Sequence, residues 1–100
     1  MKYILQVDFP HDRIFGEAMS EAFADLAKDI AQEEGLIWKI WTENESNKEA
    51  GGVYLFDNED DAKRYLRKHT DRLNSFGYTD IRAKIFTVNE TLSRLTKADI

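Results

Sequence analysis

The chain has 100 residues, of which 42% are hydrophobic, and it carries a formal net charge of −5. This length and composition predict one domain, residues 1–100, with a modest hydrophobic core. Nucleic acids and anionic membranes attract basic surfaces, so the acidic balance argues against both as main partners. The absence of cysteine excludes disulfides, thiolate metal sites and cysteine catalysis.

The first predicted element is a strand over residues 2–9, in which Tyr3, Leu5, Val7 and Phe9 alternate with Ile4, Gln6 and Asp8. Its apolar part is too short and too interrupted for a signal peptide or a membrane span, so we expect a cytoplasmic protein. Pro10 marks the end of this strand. Apolar residues then recur at helical spacing, which predicts a helix from Phe15 to Glu34 that ends at a left-handed Gly35 cap. We expect His11 to lie in the exposed loop before that helix.

The most apolar segment, Leu36–Phe56, is typical of a β-hairpin and contains both tryptophans. Successive side chains of a strand point to opposite faces, so Trp38 and Trp41 cannot lie on the same side of the sheet. Trp38 shares its face with Ile40, and we expect that face to be the one covered by helices. Gly51-Gly52 opens the second strand, which suggests a bulge or a close backbone approach by a neighbour or ligand.

The second half of the chain repeats this plan. The acidic run 57–61 suits a helix N-terminus better than a calcium loop. An apolar stripe and a Gly77 cap follow, then a strand from Thr79 to Val88 and a short helix that begins at an Asn89 cap. The order β-α-β-β-α-β, with a short C-terminal helix, predicts an α+β ferredoxin-like fold in which both long helices cover one face of an antiparallel sheet.

The other face of that sheet also carries large apolar side chains, because the strands are apolar on both sides. Leaving such residues in water forfeits about 1.5–3 kcal/mol for each large side chain. An exposed apolar patch of this extent usually marks an interface. We therefore predict a symmetric homodimer that packs the two sheets together as a dimeric α+β barrel.

His69 is the most interesting titratable residue, because it falls on the apolar stripe of the second helix and should face the sheet. A histidine has a reference pKa of about 6.5, which suits proton transfer from a phenol or enol near neutral pH. The commoner alternative is a partly buried histidine that is hydrogen-bonded to a tyrosine or a backbone carbonyl.

Four more residues are candidate substrate-binding groups. Trp38 is a candidate wall of an aromatic pocket, Tyr54 and Tyr65 are candidate hydrogen-bond partners of a substrate oxygen, and Arg72 could neutralise an oxyanion one turn after His69. Each also has an ordinary structural explanation, namely core packing for the aromatic residues and a helix-end charge for Arg72. We expect no metal site and no cofactor, since the chain lacks a His–carboxylate triad and any nucleotide-binding motif.

Several segments of the chain resemble the YdhR-like family, to which a monooxygenase activity is assigned. They are Phe15-Gly16-Glu17-Ala18-Met19, Gly35-Leu36-Ile37-Trp38-Lys39-Ile40-Trp41-Thr42-Glu43, Glu49-Ala50-Gly51-Gly52-Val53-Tyr54-Leu55-Phe56, Lys68-His69-Thr70 and Ala83-Lys84-Ile85-Phe86. The tryptophan hairpin is the most specific of them. The resemblance implies a dimeric α+β barrel, and kinship with small cofactor-free monooxygenases that use O₂ to oxidise aromatic, quinone-forming substrates.

The leading hypothesis is therefore a monooxygenase that acts without metal or flavin on a small phenol or enol. In it His69 is the base or donor, Trp38 and Tyr54 form pocket walls, and Tyr65 and Arg72 supply further polar contacts. Two alternatives stay open. One is a non-enzymatic dimer that holds a small hydrophobic ligand, and the other is haem binding with His69 as axial ligand.

Overall fold

The computed structural model describes all 100 residues and contains four strands and four helices. In chain order they are β1 (Tyr3–Pro10), α1 (Gly16–Ala22), α2 (Ala24–Ile30), β2 (Leu36–Asn44), β3 (Glu49–Phe56), α3 (Glu59–Ser75), β4 (Arg82–Thr87) and α4 (Glu90–Leu95). The strands form one antiparallel sheet in the order β2-β3-β1-β4. This is the ferredoxin-like arrangement, and the predicted fold class is confirmed. None of the helices is long and apolar enough to span a membrane.

The hydrophobic core lies between the helices and one face of the sheet. The central strand β1 contributes Leu5, Val7 and Phe9, all buried, while its alternate residue Gln6 is exposed on the other face. Core residues from β3 and α3 pack against them, among them Tyr54, Phe56, Ala62, Tyr65 and Leu73. The period-two alternation of β1 therefore decides which face of the sheet is buried.

The helical region after β1 differs from the single helix predicted over Phe15–Glu34. It is divided at Phe23, whose φ of −106° and ψ of 10° lie outside the helical values, so that α1 and α2 meet there. The apolar spacing continues across the break and therefore gives no sign of it. Gly35 adopts a left-handed φ of +83°, but the prediction that it caps the helix was wrong, because α2 ends at Ile30 and Gly35 instead lies in the turn that leads into β2. A Cβ at Gly35 would collide with Asp61.

A β-bulge in β2 changes which side chains face the helices. Leu36 pairs with Phe56, but Trp38 pairs with Leu55, so Ile37 is an extra residue on this strand. A one-residue shift exchanges the two faces of a strand. As a result Leu36 packs against the core, whereas Trp38 lies on the face away from the helices.

The face of the sheet that lies opposite the helices, called the open face below, carries exposed apolar residues. Ile40 on β2 and Phe86 on β4 keep 55% and 47% of their surface exposed.

The short helix α4 begins as predicted, because the Asn89 side chain accepts a hydrogen bond from the Leu92 N–H at 3.1 Å. Its apolar side chains are also exposed, so two apolar surfaces of this chain have no cover of their own.

Candidate active site

An apolar cavity lies between the sheet and the three helices α1, α2 and α3. Its walls are formed by Phe9, His11, Met19, Phe23, Leu26, Lys39, Trp41, Gly51, Tyr54, His69, Leu73, Phe76 and Tyr78. The cavity volume is about 20 Å³, which is room for one water molecule. A substrate larger than water therefore needs the walls to move.

His69 projects from α3 into this cavity and is only 3% exposed. Its Nδ1 accepts hydrogen bonds from Arg72, with Nη2 at 3.0 Å and Nε at 3.3 Å. Because Nδ1 accepts, the ring proton is carried by Nε2, which donates to no protein group. Burial, followed by the charges of Lys39 and Arg72, lowers the pKa of His69 to about 3. His69 is therefore a neutral hydrogen-bond donor at physiological pH, and its environment favours the donor role over the base role.

A polar chain runs from Arg72 behind the cavity wall. Arg72 Nη2 donates to Tyr65 Oη at 3.4 Å, and Tyr65 donates to Tyr54 Oη at the same distance. On its outer side Arg72 Nη1 donates to Asp29 at 3.1 Å. Burial raises the pKa of Tyr65 to about 12, and it raises that of Tyr54 further above its ordinary value. Both tyrosines therefore stay protonated and act as positioned hydroxyl groups.

The structure brings four of the five predicted site residues together. His69 and Tyr54 line the cavity, while Tyr65 and Arg72 lie behind them in the polar chain. Trp38 is the exception, and the prediction that it shares the helix-side face was wrong, because the bulge at Ile37 turns it towards the open face. The two tryptophans do lie on opposite faces, as predicted, and it is Trp41 that lines the cavity.

Lys39 is a cavity residue that the sequence analysis did not single out. Its Nζ lies 3.4 Å from the centroid of the Trp41 ring and 4.7 Å from that of Tyr54. Gly52 makes room for it, since a Cβ there would lie 2.6 Å from Lys39 Cε. Burial, and then the charge of Arg72, lowers the pKa of Lys39 to about 7. Strict alternation places this lysine on the open face, and only the bulge turns it inward.

His11 occupies the other end of the cavity, and the prediction of an exposed loop position was wrong. It is 2% exposed, its Nε2 donates to the Ile14 carbonyl at 2.6 Å, and its Nδ1 accepts from the Tyr78 hydroxyl at 2.8 Å. The backbone N–H of His11 donates to the Lys48 carbonyl at 2.8 Å, which draws the segment after Pro10 inward. No periodic pattern marks this position in the sequence.

A surface groove adjoins the cavity beside Phe23. It has a volume of about 270 Å³ and is lined by Met19, Ser20, Phe23, Ala24, Ala27, Trp41 and Glu43. The rings of Phe23 and Trp41, which line both spaces, stack at 6.3 Å with an interplanar angle of 18°. This pair borders both the cavity and the groove, and Phe23 lies at the junction of α1 and α2.

The chain also offers no group of three or more histidine, aspartate or glutamate side chains that could hold a metal ion.

Comparison with known proteins gave one family and several similar structures. Residues 4–99 match the family model described as "Putative mono-oxygenase ydhR". A variant of SnoaB, a cofactor-independent oxygenase from Streptomyces nogalater, superposes with a TM-score of 0.61 at 18% identity, covering 91% of this chain and 96% of that chain.

Two further solved structures are similar. Protein YJCS gives a TM-score of 0.62 at 25% identity over 88% of this chain and 98% of that one. A protein from Deinococcus radiodurans described as a "putative antibiotic biosynthesis monooxygenase" gives 0.55 at 16% identity, over 89% and 93% of the two chains. A search among proteins with curated descriptions found no match. The structural likenesses agree with the ferredoxin-like fold.

Proposed function

The chain belongs to the family described as "Putative mono-oxygenase ydhR", and we propose that it is a monooxygenase that needs no cofactor and oxidises a small aromatic phenol or enol. The proposed substrate site is the cavity between the sheet and the helices. The similarity in fold to a cofactor-independent oxygenase supports this choice over other oxygenase chemistries. Fold alone does not determine chemistry, so the proposal depends on the side chains that line the cavity.

One observation carries the proposal: His69 has an N–H donor that no protein group accepts, and it lines a cavity whose other walls are mostly apolar and aromatic. A hydrogen bond from this Nε2 to a substrate oxygen is strong there, because little water competes for it. It also stabilises the negative charge that forms on that oxygen when the substrate ionises. Arg72 fixes the ring by donating to Nδ1, and Tyr54 forms the adjoining wall.

The chemistry then depends mainly on the substrate. An enol or phenol loses its proton to water or to a basic side chain of the cavity, and the resulting anion passes one electron to O₂. The substrate radical and superoxide combine to form a carbon–oxygen bond, and the peroxide takes up a proton and loses water. For an anthrone the sum is R₂CH₂ + O₂ → R₂C=O + H₂O, so that one oxygen atom enters the product and the other leaves as water. The protein supplies donors and exclusion of solvent.

Oxygen uptake with anthrone tests this proposal. We expect wild-type protein to consume one O₂ per anthraquinone formed, at a rate above the reaction without protein. His69→Phe keeps an aromatic ring but removes the donor, and we expect about a 100-fold lower rate, while His69→Gln retains part of the activity. Lys63→Met on the exposed side of α3 is the matched control and should behave as wild type.

Some results would contradict the proposal. Wild-type protein that fails to accelerate oxidation of any member of a panel of anthrones, naphthols and catechols argues against an oxygenase. If such compounds bind tightly without oxygen uptake, and His69→Phe binds them equally well, the non-enzymatic binding protein is the better description. A Soret band after addition of haem that is lost in His69→Phe would instead favour haem binding.

We also propose that the protein is a homodimer that buries the open face. The exposure of Ile40 and Phe86 supports this, since two copies packed sheet to sheet remove both from water. Phe86→Lys should shift the species seen in analytical ultracentrifugation from twice 11.6 kDa towards 11.6 kDa. A wild-type protein that sediments only at 11.6 kDa at micromolar concentration would contradict the dimer.

A further inference from the structure

We propose that Lys39 is a substrate-binding residue that pairs with the ionised oxygen of the substrate, so that the cavity selects aromatic anions over neutral aromatic molecules. The inference rests on the proposed function, because it names the substrate class of that same cavity. An acidic phenol or enol that enters the cavity would place its oxygen beside Lys39.

Lys39 has no counter-ion within the chain. The eight ion pairs of the chain involve other residues, and the partly buried Lys39 has no carboxylate partner. Its Nζ lies instead over the rings of Trp41 and Tyr54. Ring faces attract a cation, but they replace only part of the hydration that burial removes. An incoming oxyanion would supply the missing partner.

No residue that lines the cavity with Lys39 carries a negative charge. Tyr54 from β3 is a neutral phenol, His69 from α3 is a neutral imidazole, and the Arg72 guanidinium lies behind them. No aspartate or glutamate is among the residues that line the cavity. The carboxylates of the neighbourhood are engaged outside it, since Asp29 accepts from Arg72 and Glu43 accepts from the Gly16 N–H. The field inside the cavity therefore favours a negative ligand.

Lys39 can be either charged or neutral near neutral pH, since burial lowers its pKa to about 7. In the neutral form, Nζ accepts the proton of a substrate hydroxyl, so that the O–H bond breaks as an N–H bond forms. In the charged form, Nζ binds a substrate that is already ionised. Either route gives the same ammonium–oxyanion pair, in which His69 Nε2 is placed as a second donor.

Binding of para-nitrophenol without oxygen tests the proposal, because its ionised form is yellow and its neutral form is colourless. Nitrobenzene is the matched neutral ligand. We expect wild-type protein to prefer para-nitrophenol by at least about tenfold, and to make the bound molecule yellow at a pH where the free phenol is mostly neutral. Lys39→Met should lose that preference and leave the bound phenol colourless.

Two further variants complete the experiment. Lys39→Arg keeps the charge and should keep the yellow bound form, while Lys63→Met, which removes an exposed lysine of α3, should match wild type. Wild-type protein that binds both ligands equally, binds neither, or leaves the phenol neutral overturns the proposal, as does a Lys39→Met variant that keeps the preference. Because oxygen is absent, this result is separate from turnover: an anion site that depends on Lys39 in a protein that consumes no O₂ contradicts the oxygenase proposal alone.

Discussion

The protein has two histidines, and both are buried in the wall of the same cavity, yet their surroundings differ. His11 is 2% exposed and His69 is 3% exposed. Both ring nitrogens of His11 are engaged, one by the Tyr78 hydroxyl and the other by the Ile14 carbonyl. Only one nitrogen of His69 is engaged, by Arg72. Burial is therefore the same, and the number of protein partners distinguishes them.

The groups around the two rings also differ in charge. The guanidinium of Arg13 lies near His11, with its Cζ 4.4 Å from the centroid of the Tyr78 ring, and it donates to the Phe76 carbonyl. His69 is close to two cations, Lys39 and Arg72, and both lower its pKa. A histidine whose two ring nitrogens are both hydrogen-bonded connects segments of the fold. A histidine with a free N–H donor next to a cation that has no counter-ion can still bind a ligand. We therefore expect His11 to contribute to stability and propose that His69 contributes to binding.

The largest expected difference between the two histidines is in their contribution to the free energy of unfolding. His11→Phe leaves the Tyr78 hydroxyl and the Ile14 carbonyl without their partner, and we expect it to lower the free energy of unfolding by about 2–3 kcal/mol. His69→Phe removes only one acceptor of Arg72, which keeps Asp29 and Tyr65, so we expect a change below about 1 kcal/mol. Urea unfolding of both variants at one protein concentration measures the difference. Equal losses would contradict the division of roles.

The fold could be predicted because its signals are local and repeated. The alternation along β1, the apolar stripe of α3, the glycine at Gly77 after α3 and the Asn89 cap each repeat or mark a boundary. His69 was placed correctly on the buried side of its helix for the same reason. Periodic burial is encoded in residue spacing, and spacing can be read without knowing the tertiary contacts.

The site was predicted only in part, because two of its features depend on single, aperiodic events. One extra residue at Ile37 exchanges the faces of β2, and it brings in Lys39 and Trp41 in place of Trp38. The second event is the turn after Pro10 that buries His11. Neither event has a repeated pattern, and each is stabilised by contacts with distant strands and loops.

The second prediction concerns Lys39, one of the two cations close to His69. Replacing a partly buried charge that has no counter-ion by an apolar side chain of similar length is stabilising, so Lys39→Met should raise the free energy of unfolding at pH 7 by about 2 kcal/mol. The native pKa is about 7 and the ordinary value is 10.5, so the unfolded chain binds the extra proton between these limits. Wild-type stability should therefore rise with pH across that window, relative to the variant.

Denaturant midpoints of wild-type protein and Lys39→Met, measured from pH 6 to about pH 10, give this difference directly. The advantage of the variant should be greatest at the acid end and should shrink as the pH rises. Lys63→Met, at an exposed ion pair with Glu59, serves as the control and should show no such trend. A variant that is less stable than wild type at every pH would mean that the ammonium group has a favourable partner within the fold.

The smallest expected effect is on the titration of His69 itself. Its pKa is lowered to about 3, first by burial and then by Lys39 and Arg72. In Lys39→Met one of the two cations is gone, so the His69 pKa should rise on the order of one pH unit and stay below 6.5, because burial and Arg72 remain. Since the native pKa is depressed, the unfolded chain takes up the proton first, and the resulting loss of stability as pH falls below 6.5 should be smaller in the variant. NMR of the imidazole protons measures the pKa, and an unchanged value would show that the charge of Lys39 does not act on His69.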